Sequence, residues 1–314
     1  MTYFVDNWGH PWIGLGIVLV LFLHERGLRA LNARSTPAHA LSRRRKMYFS
    51  YAGLILLGLS IVSPLQYWSM QYFWVHMLQH VSVMLAAPAL YVAGAPWLAL
   101  IFSLPVSIRR RFLSGVFLDP RQNTLRRVGR FFLSPVFGVI FFNLVMVFWM
   151  LPVVFDPVMS HPNLHIGLML SSFFISGVLF WIHFVPSYPF VRKLAPMAQA
   201  GSLLLTNLIM TIIAIAISFL VSVPSYNFGA AMMSMMMGGH AMSMPTINPL
   251  VDQQIGAAIL WVCGDFWCFP ALYVALRRAT KDEDSSNLMD KFLRGQRAMS
   301  AKEFQEARAK SRPE

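Results

Sequence analysis

Charge is scarce in this chain. Asp, Glu, Lys and Arg make up 12% of its 314 residues, where a soluble domain carries about 25%. So little charge cannot coat the surface of a soluble body of this length, which excludes an ordinary soluble enzyme. The acidic sign is scarcer still, with 13 Asp and Glu against 26 Lys and Arg and a formal net charge of +13. Cysteine is almost missing. Cys263 and Cys268 both lie inside an apolar block, so they carry no information about redox compartment. Five residues apart, they stand about 140° from each other around a helix, which is no chelating pair; inert core thiols are the expectation. Met1–His10 has no Lys or Arg ahead of the first apolar run, so a cleavable signal peptide is not expected.

What is abundant is apolar sequence, 56% of the chain, arranged in blocks of about the 20 residues that a helix needs to cross a hydrocarbon core. The expected fold is an all-α, polytopic membrane bundle of seven transmembrane helices. They fall at Pro11–Leu28, Met47–Tyr67, Tyr72–Gly94, Leu133–Val154, His161–Val185, Met197–Val223 and Asp252–Leu276. Pro88 is expected to kink the third, a cost that a buried position tolerates. Pro96 and Trp97 open an apolar run to Leu104 that is expected to lie along the inner interface.

The cations orient the bundle. The first loop, Arg26 to Lys46, holds seven, the third, Arg109 to Arg130, seven more, and the fifth holds Arg192 and Lys193. The remaining ten follow from Arg277 onward, and none lies in the N-terminal segment or the second, fourth and sixth loops. Only an odd number of spans gives this alternation, and the positive-inside rule then sets N-out/C-in. The basic residues read as topology signals and contacts with anionic lipid, not as a nucleic-acid surface. Two regions result: a transmembrane domain, 1–276, and a charged cytoplasmic tail, 277–314, expected as a solvated helix or disordered chain. No soluble catalytic domain is left over.

Orientation sorts the histidines. His24, His39 and His183 fall near or beyond the inner boundary, while His10, His76, His80, His161, His165 and His240 fall on the outer side. In His76-Met77-Leu78-Gln79-His80, four residues advance a helix by about 400° and about 6 Å, so both imidazoles share one face. His161 and His165 repeat that spacing. Each His alone is as well explained by a hydrogen bond between helices. Two pairs at one depth, where ionisable groups are costly, point instead to a site built across the bundle.

The sixth loop adds a second signal. Of the thirteen residues from Met232 to Met244, seven are methionine: Met232, Met233, Met235, Met236, Met237, Met242 and Met244, with His240 among them. Methionine usually fills cores. Here Ser and Gly interrupt the run and it sits in an outer loop, where packing explains less. Thioether with imidazole favours the soft ion Cu(I), whereas zinc would want Cys or carboxylate as well. Asp252 starts the seventh helix as an ordinary cap, yet its depth keeps a ligand or supporting role open. Asp265 lies about 20 Å deeper, in Cys263-Gly264-Asp265, and is either an ion or proton carrier or a carboxyl kept neutral by burial.

From the second helix to the seventh the chain resembles the seven-helix CtaG family, assembly factors of caa-type cytochrome c oxidases. The resemblance is carried by Ser63-Pro64-Leu65, by His76-Met77-Leu78-Gln79-His80 running into Ala87-Pro88 and Gly94-Ala95-Pro96, and by Leu164-His165 followed by Gly177 and Leu179-Phe180-Trp181. Asp252-Gln253-Gln254 with Gly256 and Trp261 completes it. Each segment is short and partly generic; their order and spacing are the specific part. The resemblance implies copper handling for the oxidase at the outer face of the bacterial inner membrane, without catalysis. It favours His165 over His161. Where relatives carry Trp-His-Leu-Pro this chain has Trp149-Met150-Leu151-Pro152, and where they carry a second His in the fifth helix it has Met169. Both departures replace imidazole by thioether, which softens a Cu(I) site.

The expected copper ligands are His76, His80, His165, Met150 and Met169, with Met77, Asp252 and His240 beside them. The expected partners are an oxidase subunit or a periplasmic copper chaperone, in addition to the lipid bilayer. Three other readings compete. A retinal protein needs a Schiff-base Lys in the seventh helix, and no expected span contains Lys. A b-type cytochrome could use His80 and His165 as axial ligands, but leaves the methionines unexplained. A copper transporter needs a polar path, for which Asp265, Asn207 and Asn143 are the deep candidates.

Overall fold

The computed structural model describes residues 8–113, 123–159, 161–185, 187–189, 194–219 and 247–310. These residues are helical almost throughout, and no strand is found among them. The helices are α1 (Pro11–Asn32), α2 (Pro37–Val62), α3 (Pro64–Ser69), α4 (Phe73–Ala93), α5 (Trp97–Ser103) and α6 (Val106–Leu113). They continue as α7 (Asn123–Phe132), α8 (Pro135–Met150), α9 (Pro152–Met159), α10 (His165–Trp181), α11 (Pro196–Phe219) and α12 (Pro249–Lys310). Prolines open α1, α2, α3, α8, α9, α11 and α12. Proline suits that place because its ring presets the helical φ and the N–H it lacks would have no partner there. The same residue type ends the preceding helix, since the residue before it is driven to extended backbone. Ser63, between α2 and α3, is extended at ψ 171°, and its Oγ accepts the Leu65 N–H at 3.2 Å.

Four helices are long and apolar enough to cross a membrane: Pro11–Asn32, Phe73–Ala93, Pro196–Phe219 and Pro249–Lys281. A fifth results if Arg126–Phe132 and Pro135–Met150, bent by 56° at their junction, form one span. The other two expected spans are helical but fall short on composition or length. α2 takes Arg43, Arg44, Arg45 and Lys46 into its own helix, and α10 begins only at His165 after the turn Pro162–Leu164. The boundary expected at residue 277 leaves no mark on the backbone, because α12 runs unbroken for 62 residues through it.

α4 is the hub. In its most apolar stretch 83% of residues are buried, against 17–28% in the other three candidate spans. α2, α10 and α12 pack around it. Its two partners closest to the histidines are brought in by glycines. A Cβ on Gly177 of α10 would strike the Met84 carbonyl oxygen and lie 2.7 Å from Pro88 Cγ. A Cβ on Gly256 of α12 would strike the Phe73 ring. Only hydrogen fits at either contact, so these two residues set how near the flanking helices come.

Pro88 does not break α4. Its ring excludes the usual carbonyl of the residue four back, Met84, and the helix widens into a π turn over Ser82–Ala86. The apolar run after Pro96 forms a helix of its own. The chain reverses through Ala95, at φ 51°, and α5 packs back on α1, burying Ala99 and Ser103. Leu28, Leu31, Met47 and Ala99 form a small second core there. Glu25 of α1 ties that end to α2, with Arg29 at 2.8 Å, Arg44 at 3.0 Å and the Tyr51 hydroxyl donating at 2.9 Å.

Candidate metal centre

Three imidazoles meet beside the start of α4. His76 and His80 lie four residues apart on that helix, and their ring centroids are 4.0 Å apart. His165 arrives as the first residue of α10, at 5.0 Å from the His76 ring and 6.2 Å from the His80 ring. One nitrogen from each ring falls within 4.8 Å of the others, and all three side chains are 0% exposed. Among the described residues this is the one group of three His, Cys, Asp or Glu side chains so placed. Both helices depart from α geometry next to their histidines, α4 at Ser82–Ala86 and α10 at His165–Leu170. Such π turns recur at functional sites because they re-aim one side of a helix.

The walls are apolar. Phe155 packs edge-on to His76 at 5.0 Å and Phe173 lies 4.8 Å from the His80 ring. Met77, Met150 and Met169 are buried in the same core as these two phenylalanines. His76 Nδ1 lies 3.2 Å from the Ser69 carbonyl oxygen, so that nitrogen carries hydrogen and Nε2 keeps a lone pair. His165 Nδ1 lies 3.4 Å from Gln66 Nε2. Gln66 in turn accepts from Gln79 Nε2, which also donates to the Ser60 carbonyl oxygen at 2.6 Å. Among the described residues neither ring nitrogen of His80, nor Nε2 of His165, has a hydrogen-bond partner. Buried polar atoms are nearly always paired, and these lie together on two facing rings.

Three imidazoles suit copper, zinc, iron or nickel, and a preference for Cu(I) would come from the thioethers in the same core. Nitrogens about 2.0 Å from one metal stand roughly 3.5 Å apart, within reach of the rings by small rotations. The cost of burying an ion rises with the square of its charge, and three neutral imidazoles with no carboxylate compensate one charge better than two.

The Asp252 carboxylate is engaged elsewhere. Asp252 accepts the Phe73 N–H at 2.8 Å and the Trp74 N–H at 3.0 Å, one on each oxygen. It therefore caps α4 across the helix interface, where its own helix was the expected place, and offsets the positive end of the α4 dipole. His161 is exposed with Nδ1 3.0 Å from the Pro157 carbonyl oxygen, apart from the triad. His240 and the methionines of 232–244 lie outside the described residues. Deeper in the bundle, Asn207 donates to Asp265 at 2.8 Å and Asn143 to Thr206 at 3.0 Å. Both cysteines are free thiols, and Cys268 sits 3.7 Å from the Leu203 carbonyl oxygen. A porphyrin between His80 and His165 would have to pass through His76, which touches both rings.

Gln66, Gln79 and Ser69 were not legible as parts of a site. A signal for Gln79 existed: an amide inside a membrane helix must find a partner, and this one stands beside His80 in sequence. Gln66 and Ser69 gave none, since only the fold of α3 against α4 brings them to the rings.

The family model of the cytochrome c oxidase caa3 assembly factor matches residues 22–282, most of the chain. The chain belongs to this assembly-factor family. The match spans α1 to α12 and takes in all three histidines. No curated protein and no solved structure matches the chain. An assembly factor acts with the cytochrome oxidase machinery, and the helices long enough to span a bilayer agree with work at a membrane.

Proposed function

We propose that this assembly factor binds Cu(I) in the triad of His76, His80 and His165 and passes it on by ligand exchange during oxidase assembly. The meeting of three fully buried imidazoles from two helices supports this most directly. Copper is cargo on this reading. Capture and release exchange one ligand for another with no change in the oxidation state of the ion, so no redox step and no catalysis are needed. The receiving group is a subunit of the oxidase or a copper chaperone offering thioether, imidazole or thiolate ligands.

In this reading the seven helical segments cross the bacterial inner membrane with the N-terminus outside, and the triad lies near the outer surface. The methionines of 232–244 with His240 collect the ion there, while Met150 and Met169 offer softer donors beside the rings. With 26 Lys and Arg all on cytoplasmic segments, no fixed positive side chain repels a cation on the outer side.

The test is metal content of protein purified from cells grown with copper, next to the double variant His76→Ala/His80→Ala. One copper per chain is expected in the wild type and none in the variant. Equal copper in both would remove the triad from the site. Net copper uptake by proteoliposomes would replace the carrier with a transporter.

A further inference from the structure

We propose that Gln66 is a positioning residue that holds His165 in its Nε2–H tautomer while the site is empty, leaving two histidines ready for metal and one that must switch. The inference starts at the backbone. The Ser60 carbonyl oxygen can only accept, so the Gln79 side chain must turn its nitrogen toward it, at 2.6 Å. The second hydrogen of that nitrogen goes to Gln66 Oε1. With its oxygen so used, Gln66 presents its nitrogen to His165 Nδ1 at 3.4 Å. Turning either amide over sets oxygen against oxygen at Ser60, or N–H against N–H between the two glutamines. The order of donors along the chain is therefore fixed by one carbonyl, and it ends on His165.

A nitrogen that accepts a hydrogen bond carries no hydrogen, so neutral His165 has its proton on Nε2. That atom is buried and has no partner among the described residues. His76 is arranged the opposite way, with Nδ1–H donated to the Ser69 carbonyl oxygen and the lone pair on Nε2. Among the described residues His80 has no partner at either ring nitrogen, so they impose neither tautomer on it. The three rings are thus unlike as ligands. His76 and His80 can take a soft ion as they stand. For His165 to bind through Nε2, the proton must leave that atom and one must be added at Nδ1, with no change in net charge. Nδ1–H would then face the Gln66 N–H, a repulsive contact. Metal ligands elsewhere are supported the other way, by a carboxylate or carbonyl accepting from the ring nitrogen that does not bind metal. Gln66 withholds that support, which keeps the third ligand weak and the ion exchangeable, as delivery requires. Gln66 is 7% exposed and Gln79 and His165 are 0% exposed, so bulk water does not compete for the arrangement.

The consequence for copper rests on the proposed function; the tautomer does not, and the two are read separately. Nitrogen-15 spectra of histidine-labelled, metal-free protein, with His165 assigned by loss of its signals in His165→Ala, are expected to show a bare Nδ1 and a protonated Nε2. A protonated Nδ1 in the wild type overturns the proposal outright, without any variant or copper. In Gln66→Glu the carboxylate can accept from both Gln79 and the ring, so the proton should move to Nδ1. Cu(I) affinity by competition with a chromophoric chelator should then rise about 10–100-fold, the range for such supporting groups. The rise should vanish in Gln66→Glu/His165→Ala. Affinity unchanged or lowered in Gln66→Glu, with the proton moved as expected, overturns the claim that Gln66 weakens the third ligand. If the wild type binds no Cu(I), the functional reading falls, while the tautomer still stands or falls on the spectra.

Discussion

Replacing Asp252 by Ala separates a capping carboxylate from a metal ligand. In the native structure its two oxygens accept the Phe73 and Trp74 N–H groups at 2.8 and 3.0 Å, and the side chain is 6% exposed. Tyr72, at the N-cap of α4, offers no side-chain bond to replace them. Removal leaves two backbone donors at a buried helix start. Each unsatisfied donor costs about 1–3 kcal/mol, and loss of a single cap costs about 0.5–2 kcal/mol. A net loss of about 2–4 kcal/mol is expected, since the first turn can fray and recover part of it. At about 2–4 °C per kcal/mol for a large domain, the melting temperature in detergent should fall on the order of 5–10 °C. His76 lies within a turn of the freed N–H groups, so Cu(I) affinity should weaken somewhat while stoichiometry stays at one per chain. Thermal unfolding followed by size-exclusion chromatography, with metal content on the surviving fraction, reads both. An unchanged melting temperature together with loss of all copper would refute the reasoning and return Asp252 to the ligand set.

Two further outcomes follow from packing. Gly177→Val forces α10 away from the Met84 carbonyl and Pro88 of α4; overpacking of this kind costs about 1–3 kcal/mol. Because His165 rides on α10, Cu(I) affinity should drop in step with stability, and a variant that is destabilised but binds normally would show that the two helices do not position the triad. Glu25→Gln removes the charge that holds Arg29 and Arg44. The expected loss is about 1 kcal/mol at low salt and less at high salt, with copper stoichiometry unchanged because none of its partners touches the triad; a copper defect there would reveal a coupling between the two ends.

Sequence alone pointed to a membrane and to helices. A chain this poor in charge and built of apolar blocks has no soluble solution, and backbone groups in lipid must be satisfied within helices. Spacing alone put His76 and His80 on one face, because four residues are slightly more than one helical turn. Family-specific segments pointed to His165 over His161, and the structure sets them apart as a buried ring and an exposed one. Three-dimensional packing decided the rest. Whether α10 comes near α4 depends on a glycine against a carbonyl oxygen, a contact between residues 93 apart. The π turns answer to Pro88 and to neighbouring helices, and no period in the sequence announces them. Asp252 reads as a cap in sequence, but which helix it caps is set by how α12 meets α4. The same holds for the tautomer of His165. It is governed by a carbonyl of α2 acting through two glutamines, and hydrogen-bond direction along such a chain exists only once the helices are packed.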